Sequence, residues 1–452
     1  MTVIHAKTAL LPDGWAKDVS LTMEDGRIAQ VTQAATASAG APVDILLPAP
    51  TNLHSHAFQR AMAGLTERRG AASSDSFWTW RQLMFRFLDQ LTPEDIEAIA
   101  AQVQMEMLEA GYAASAEFHY LHHQPGGAAY DNRAELSERV AAAAELTGIG
   151  LTLLPVLYSQ GGVGGRALGP GQIRFGNDLD GYMAVMDGAQ NAVGALAPDA
   201  RLGVAPHSLR AVTRSDLTQL QQYQGPIHMH LAEQIAEVDE IKEAYGARPV
   251  TWALDHLDLD PRWCLIHCTQ MTKAETRGLA HAGVVAGLCP LTESSLGDGI
   301  FDAVNWTDAG GIWGLGSDSN ILISLTEELR TLEYSQRLIT HSRAVLATAE
   351  HSTGRVLFNQ ACKGGAQAAG RDSGAIEVGR WADLVALGGD ATDFIGRQED
   401  SLLDTWIFAG KEAAISDVWA AGRHMVQAGE HVKKSEITLS YRKVLKRLQD
   451  VM

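Results

Sequence analysis

The stretch Pro48-Ala-Pro-Thr-Asn-Leu-His54-Ser-His56-Ala-Phe-Gln59-Arg60 follows the apolar run Asp44-Ile-Leu-Leu and is typical of the end of a buried strand. Side chains two residues apart on a strand point the same way. His54 and His56 would therefore share one face, close enough to bind one metal ion. Two histidines bind a metal only if other residues complete the ligand set, so the remaining strand ends decide the interpretation.

The composition is that of a globular protein. The chain has 452 residues, 46% hydrophobic and 20% charged, which suits one large barrel with a satellite domain. No apolar run reaches the roughly 18 residues of a membrane helix, and the N-terminus lacks the pattern of a secretion signal. Cys264, Cys268, Cys289 and Cys362 fit a reducing compartment, and we expect a cytoplasmic protein. Cys264 and Cys268 are expected to be buried small hydrophobes rather than zinc ligands.

The charge limits the classes of partner. A formal net charge of −18 disfavours nucleic acid and anionic membranes, which both attract basic surfaces. An anionic substrate would need local arginines. A homodimer is expected, and an aromatic cluster is typical of either protein core or a subunit interface. Its members are Phe77, Trp78, Trp80, Phe85 and Phe87.

Both ends of the chain show the residue pattern of short strands. Asp25-Gly26 between two alternating runs predicts a hairpin, and similar runs return after residue 374. Residues 1–48 and 375–452 are therefore predicted to form one small β domain of the β-sandwich type, with a helical tail at the C-terminus.

The segment 49–374 alternates strand-like and helix-like patterns. Its helix after Thr92 has a capping threonine, proline at the first position and acids in the first turn. Eight strands alternating with helices predict an α/β protein with a (β/α)8 TIM-like barrel, with a doubly wound sheet as the alternative. The candidate strands are the run ending at His54, Ala113–His119, Leu151–Tyr158, Leu202–His207, Ile227–His230, Trp263–His267, Val284–Leu288 and Ile312–Gly316.

Residues able to bind metal or move protons end nearly every candidate strand. In a barrel such residues collect at the C-terminal ends of the strands, so this set is predicted to converge. Its members are His54, His56, His119, His207, His230, His267 and Asp318.

The ligand types indicate the metal. His228 and His230 lie two apart on one strand, and His230 is nearer the mouth. Together with His54, His56 and Asp318, it gives three imidazoles and one carboxylate, which suit Zn²⁺ better than Fe²⁺ or Mn²⁺. A second ion would need a bridging group, often a carbamylated lysine. No lysine lies between Lys17 and Lys242, so one metal per subunit is predicted.

Two further residues are candidate proton carriers. Glu233, three residues beyond His230, could move a proton from an activated water to a leaving nitrogen. A first-turn acid at a helix N-terminus would have the same position. His267 could orient the attacking water together with Asp318, or serve as a further metal ligand.

The motifs resemble the amidohydrolase superfamily, in its single-metal deaminase branch, and more closely the formimidoylglutamate deiminase family. The superfamily pattern is His-x-His after the first strand, His-x-x-Glu after the fifth, His after the sixth and Asp after the eighth. The narrower resemblance lies in Asn52-Leu-His-Ser-His-Ala-Phe-Gln-Arg60, Phe77-Trp-Thr-Trp-Arg81, Ala116-Glu-Phe-His-Tyr120, Ala205-Pro-His207-Ser-Leu-Arg210, His228-Met-His-Leu-Ala-Glu-Gln234 and Gly316-Ser-Asp-Ser-Asn320.

The resemblance implies zinc-dependent hydrolysis of a formimino group on a dicarboxylate, with release of ammonia. Zinc would be bound by His54, His56, His230 and Asp318, and protons would be handled by Glu233 and His267. The implied substrate contacts are Gln59, Arg81, Tyr120, His207 and Arg210. The two arginines suit two carboxylates, because a guanidinium binds a carboxylate bidentately.

Two alternatives remain at this point. A related deaminase could act on a purine, pyrimidine or nucleoside, whose pocket would favour aromatic stacking over two arginines. A non-catalytic barrel could carry a structural metal site, but such sites are usually closed and lack an adjacent carboxylate.

Overall fold

The computed structural model describes residues 1–35, 40–67, 77–410 and 414–449, without the side chains of 77–79. Within these ranges the strands are β1 (Thr2–Leu11), β2 (Gly14–Glu24), β3 (Arg27–Thr32), β4 (Ala41–Pro48), β5 (Thr51–Ser55), β6 (Ala114–His119), β7 (Gly150–Leu157), β8 (Arg201–Leu202), β9 (Ala205–Pro206), β10 (Ile227–Leu231), β11 (Trp263–His267), β12 (Val285–Leu288), β13 (Ile312–Leu315), β14 (Leu384–Leu387), β15 (Ile415–Ala420), β16 (Arg423–Gln427) and β17 (Glu430–His431).

The described α-helices alternate with the middle strands and continue beyond them. They are α1 (Phe77–Leu88), α2 (Pro93–Glu109), α3 (Glu135–Thr147), α4 (Leu179–Gly194), α5 (Arg214–Leu220), α6 (Ile235–Tyr245), α7 (Pro249–His256), α8 (Lys273–Ala282), α9 (Pro290–Leu296), α10 (Ala303–Asp308), α11 (Leu325–Thr340), α12 (Thr353–Ala368), α13 (Asp400–Phe408) and α14 (Lys434–Gln449). Within the described residues, 3₁₀ helices cover Ala57–Met62 and Thr392–Phe394.

The middle strands form a closed parallel barrel. β5, β6, β7 and β8 pair in that order, β9 continues the fourth position beside β7, and β10 to β13 pair in sequence. Parallel bridges Val204↔Ile227 and Ser55↔Asp318 join the two halves. These bridges confirm the predicted (β/α)8 barrel, and the doubly wound alternative is wrong because an open sheet would leave two unpaired edges.

The terminal strands form one eight-stranded sheet in the order β17-β16-β15-β14-β4-β1-β2-β3. The predicted hairpin joins β2 and β3, and Asp25 (φ 49°) and Gly26 (φ 78°) take the left-handed conformations that such a two-residue turn requires. Only two residues separate β4 from β5, so this sheet leads directly into the barrel. The domain boundaries themselves stay a prediction.

The start of α2 has the cap that the sequence predicts. The Thr92 side chain accepts from the Asp95 N–H, and the Asp95 carboxylate accepts from the Thr92 N–H, as the predicted cap requires.

The aromatic cluster is described only in part. Phe87 is buried, and Phe85 packs on Phe175. The side chains of Phe77 and Trp78 lie outside the described residues, and the role of the cluster at a subunit interface stays a prediction.

The cysteines lie in the protein interior. Cys264, Cys268, Cys289 and Cys362 are all buried and unpaired in disulfides, as expected for small hydrophobic side chains. No helix among the described residues is both long and apolar enough to cross a membrane.

A buried ion cluster joins the barrel to the terminal sheet. Asp199, between α4 and β8, accepts from Arg371 at 2.8 Å and from Arg423 of β16 at 2.8 Å. Arg371 also donates to Asp383, just before β14, at 2.6 Å. Burial alone would raise the pKa of Asp199, but the two guanidinium groups outweigh it and lower this pKa to about 2.

We expect Asp199→Asn to destabilise the fold by about 3 kcal/mol near pH 7, because it removes the carboxylate shared by two guanidinium groups and leaves the buried Arg371 with Asp383 as its remaining counter-charge. The folded-state pKa of Asp199 lies below the ordinary value of 3.8, so its contribution is complete above about pH 4 and is lost as the pH falls towards 2. Denaturant unfolding across this range should show the difference between variant and wild type shrinking on acidification. Asp13→Asn, at an exposed site, is the control. A difference independent of pH would contradict this account.

Candidate active site

Most of the predicted site residues lie together in one pocket at the C-terminal ends of the barrel strands. His54 lies just beneath it and is fully buried. The predicted residues that line the pocket are His56, Gln59, Arg81, Tyr120, His207, Arg210, His230, Glu233, His267 and Asp318. Their convergence follows from the parallel barrel, which brings all C-terminal strand ends to one side.

The predicted metal ligands are buried and lie close together. Ring nitrogens of His54, His56 and His230 lie within 4.8 Å of one another. The Asp318 Oδ1 atom is 3.3 Å from His56 Nε2 and 3.7 Å from His54 Nε2. Three imidazoles and a carboxylate around one point form a donor set for a divalent metal ion.

Hydrogen bonds fix which ring nitrogens face this point. His56 Nδ1 is 3.0 Å from the Phe118 carbonyl and His230 Nδ1 is 3.2 Å from the His207 carbonyl, so each Nε2 is left for a ligand. Burial lowers the pKa of His56 to about 3 and that of His230 well below its ordinary value. Both rings therefore stay neutral, as metal binding requires.

His54 tests whether the residues fit a metal. The side chain is fully buried, and neither ring nitrogen has a hydrogen-bond partner among the described residues. Burial and the neighbouring imidazoles lower the pKa of His54 well below its ordinary value. A buried polar group without a partner costs about 1–3 kcal/mol, and a cation at the cluster would satisfy one nitrogen. The site fits a divalent ion.

The Asp318 turn is held in a strained conformation. Asp318 has φ 46°, a left-handed value that is uncommon for a non-glycine residue. The Asn52 amide donates to Ser317 Oγ at 2.7 Å, and Ser317 Oγ donates to Asn320 Oδ1 at 2.6 Å. A Cβ on Gly316 would lie 2.7 Å from the His54 carbonyl oxygen, so glycine permits the close approach predicted for this turn.

Glu233, in the turn after β10, and His267, at the end of β11, lie beside the proposed metal ligands. His267 Nε2 is 3.8 Å from Glu233 Oε1 and 3.7 Å from Asp318 Oδ2. Burial opposes protonation of His267, but Glu233 and the Glu293 carboxylate at 3.2 Å from Nδ1 raise its pKa well above the ordinary value. Burial also raises the pKa of Asp318 to about 7. These groups are arranged for proton transfer at the mouth of the barrel.

The sequence interpretation missed the carboxylates behind these two groups. Glu237 is buried and accepts from the N–H groups of Ala232 at 3.1 Å and Glu233 at 2.9 Å. It holds the turn at Ala232, whose φ is 53°. Glu293 accepts from the Cys289 N–H at 2.8 Å as well as contacting His267. Position in the first turn of α6 or α9 was the available signal, and it usually marks only a helix cap.

The remaining predicted residues complete the wall of the pocket. The Gln59 amide donates to the Tyr120 hydroxyl at 2.9 Å, and Arg81 donates to the Tyr158 hydroxyl at 2.8 Å. Arg210 is buried. Burial and the nearby Arg210 lower the pKa of His207 well below its ordinary value, so this ring is neutral.

His119 does not join the site, and its predicted convergence with the other strand-end residues is wrong. Phe118, its neighbour on β6, faces the cluster instead, with its ring 4.6 Å from that of His230. Successive strand side chains alternate, so His119 points away and its ring packs 5.5 Å from that of His122.

We expect His54→Leu to leave the metal-free protein as stable as wild type or more stable by about 1–2 kcal/mol, because a buried unpaired polar group is removed. Metal-induced stabilisation, measured as the rise in melting temperature on adding Zn²⁺ to chelated protein, should be lost. His228→Leu is the matched control on β10: it loses a 2.8 Å contact with the Ala368 carbonyl and should keep the metal response. A metal response retained in His54→Leu would contradict the assignment.

Comparisons with known proteins agree with this geometry. The chain matches the family described as Amidohydrolase family over residues 45–425 and the one described as Formimidoylglutamate deiminase HutF, N-terminal domain, over residues 1–42. A formimidoylglutamate deiminase of Pseudomonas aeruginosa is 44% identical over 456 residues, covering 100% of both chains.

Solved structures give the same result. An amidohydrolase from Brucella melitensis has a TM-score of 0.96 and 46% identity, covering 99% of this chain and 100% of its own. A zinc-bound adenosine deaminase from Xanthomonas campestris has a TM-score of 0.82 at 21% identity, covering 99% and 98%, and shares the fold. The resemblance that the motifs predicted is therefore confirmed: the chain belongs to the amidohydrolase family.

Proposed function

We propose that this chain hydrolyses N-formimino-L-glutamate to N-formyl-L-glutamate and ammonia, a step of histidine degradation. The observation that carries this proposal is that two arginines, Arg81 and Arg210, line the same pocket as proposed metal ligands. A dicarboxylate with an amidine-like reactive carbon needs this combination. The full-length identity of 44% to the Pseudomonas deiminase supports the assignment to a hydrolase of linear amidines.

The proposed cofactor is one Zn²⁺ per chain, bound by His54, His56, His230 and Asp318. Three neutral imidazoles with a carboxylate favour zinc over the harder divalent ions. The bound zinc in the structural relative from Xanthomonas campestris also supports this choice. The ion would lower the pKa of a water to about 7 and so supply a nucleophile near neutral pH.

Three side chains of the pocket carry the proposed proton steps. His267 and Asp318 orient the water towards the formimino carbon, and Glu233 accepts its proton. Glu233 then delivers this proton to the imino nitrogen. As the tetrahedral centre collapses, the second water proton passes from its hydroxyl group to the same nitrogen, which departs as ammonia and leaves the formyl carbonyl. The 3.8 Å separation of Glu233 from His267 supports this division of roles. His267 acts here on the water, and the alternative role as a further ligand is not needed.

The proposed substrate contacts lie around the arginines. Arg81 and Arg210 bind the two carboxylates, and burial strengthens such ion pairs because water does not screen them. Gln59, Tyr120 and His207 complete the pocket wall. A purine or pyrimidine carries no carboxylates for these arginines, so the nucleobase alternative is not favoured.

Assembly, compartment and domain division are part of the proposal. Four buried free cysteines support the cytoplasm. Exposed Tyr334, Leu338 and Ile339 on α11 support a homodimer, because apolar surface of this kind often marks an interface. The proposed domains are 49–374 for catalysis and 1–48 with 375–452 for the terminal unit.

The direct test is ammonia release by the zinc-loaded protein from N-formimino-L-glutamate. Guanine, cytosine and adenosine are assayed in parallel as substrates of the alternative deaminases. We expect turnover of the first compound with kcat/KM of about 10⁴ M⁻¹s⁻¹ or more, the ordinary range for enzymes on their own substrates. No turnover of formiminoglutamate, or faster turnover of a nucleobase or nucleoside, would refute the proposed substrate.

Glu233→Gln should lower kcat by at least about 10²-fold, because the amide cannot carry the proton. The zinc content should stay that of the wild type, since Glu233 is outside the proposed ligand set. The matched control is Glu243→Gln, the same substitution at an exposed position on the following helix, α6. Near-normal kcat in Glu233→Gln would exclude the proton-carrier role, and joint loss of zinc would place Glu233 in the ligand set.

A further inference from the structure

Tyr158 is a pocket residue to which neither the motifs nor the proposed mechanism gives a role. It directly follows β7 and is buried, with its ring 4.6 Å from the His207 ring. Its side chain lines the pocket together with Arg81 and Arg210. A polar atom buried at this place is therefore available to a substrate.

The Tyr158 oxygen accepts two hydrogen bonds. Arg81 Nη2 and Gln172 Nε2 each lie 2.8 Å from it. A guanidinium is always a donor. The orientation of the Gln172 amide is also fixed, because its Oε1 accepts from the Gly169 N–H at 2.8 Å, so Nε2 must be the atom that faces Tyr158.

These contacts determine what the hydroxyl hydrogen can do. A tyrosine hydroxyl has one hydrogen and two positions for acceptance. Both acceptor positions are used by Arg81 and Gln172, so the hydrogen can only be donated. Among the described residues no acceptor for it lies within hydrogen-bond distance. The pocket, which Tyr158 lines, is the remaining direction for this donor.

We propose that Tyr158 donates its hydroxyl hydrogen to the substrate carboxylate that Arg81 binds, and so helps to select a carboxylate at that position. The inference rests on the proposed function and adds a specificity-determining residue to it. Arg81 and Tyr158 would present two donors to one carboxylate, which has acceptor positions for both. A carboxamide would turn an N–H group towards one of these donors and bind less well.

A positioning role is the competing explanation, in which Tyr158 only orients Arg81. Truncated substrates distinguish both of these roles, donation to the substrate and orientation of Arg81, from a general packing role of Tyr158. N-formimino-4-aminobutyrate keeps the side-chain carboxylate, and N-formimino-L-2-aminobutyrate keeps the α-carboxylate. Zinc-loaded Tyr158→Phe is compared with wild type on these two compounds and on N-formimino-L-glutamate.

We expect Tyr158→Phe to lower kcat/KM for formiminoglutamate about 10- to 100-fold, mainly through KM, as for loss of a hydrogen bond to a charged group. The same loss should appear with one truncated substrate, and the other should change by no more than about twofold, because its missing carboxylate is the one Tyr158 contacts. Tyr182→Phe is the control, a buried tyrosine that donates to the Pro155 carbonyl at 3.0 Å outside the pocket.

The Arg81→Met background distinguishes donation from positioning. If Tyr158 donates to the substrate, Tyr158→Phe should still lower kcat/KM in this background, by about fivefold or more. A penalty that disappears without Arg81 would reduce Tyr158 to a positioning residue and overturn the inference. Equal penalties on all three substrates, or none, would also overturn it. Absence of wild-type turnover of formiminoglutamate would instead contradict the proposed function itself.

Discussion

The structure depends on bringing three neutral imidazoles and one carboxylate together where almost no water reaches. His54 shows the cost most clearly, since both of its ring nitrogens are buried without a hydrogen-bond partner in the part of the chain that the structure describes. Such a group is unfavourable in the metal-free chain and becomes favourable only with a cation beside it. The cluster is therefore a place where folding stability is lowered for the sake of binding.

Closure of the barrel and construction of this cluster use the same hydrogen bonds. The Asp318 N–H donates to the His54 carbonyl at 2.9 Å, and the His56 N–H donates to the Asp318 carbonyl at 2.9 Å. These bonds join the first and last barrel strands through residues that are themselves the proposed ligands. The left-handed backbone at Asp318 is thus fixed from both sides, by the closing strands and by the Asn52–Ser317–Asn320 network. A change that opens the barrel here would also separate the ligands.

The sequence predicted the parts of the site that are local in the chain. Strand ends could be recognised because an apolar run stops at a histidine or aspartate, as at His54 and Asp318, and the barrel rule then brings these ends together. It was harder to predict which side chains of a strand face inward, because β6 is buried on both sides and its pattern does not alternate. The wrong placement of His119 follows from this ambiguity, since Phe118 takes the inward position.

Contacts between residues far apart in the chain could not be predicted. Asn52 and Ser317 are 265 residues apart, and Tyr158 and Arg81 are 77 residues apart. Such pairs depend on which segments become neighbours around the mouth, and no local pattern encodes that. Glu237 and Glu293 had an ordinary helix-cap position in the sequence, and only the folded chain shows that their carboxylates hold the Glu233 turn and the His267 ring.

The most direct test of the central claim is an anomalous difference map, recorded above and below the zinc absorption edge, from crystals grown with zinc. A single strong peak among His54, His56, His230 and Asp318, with Glu233 and His267 beside it rather than bonded to it, is the predicted result. Two peaks, or one peak whose ligands include His267 or Glu233 in place of Asp318, would contradict the account.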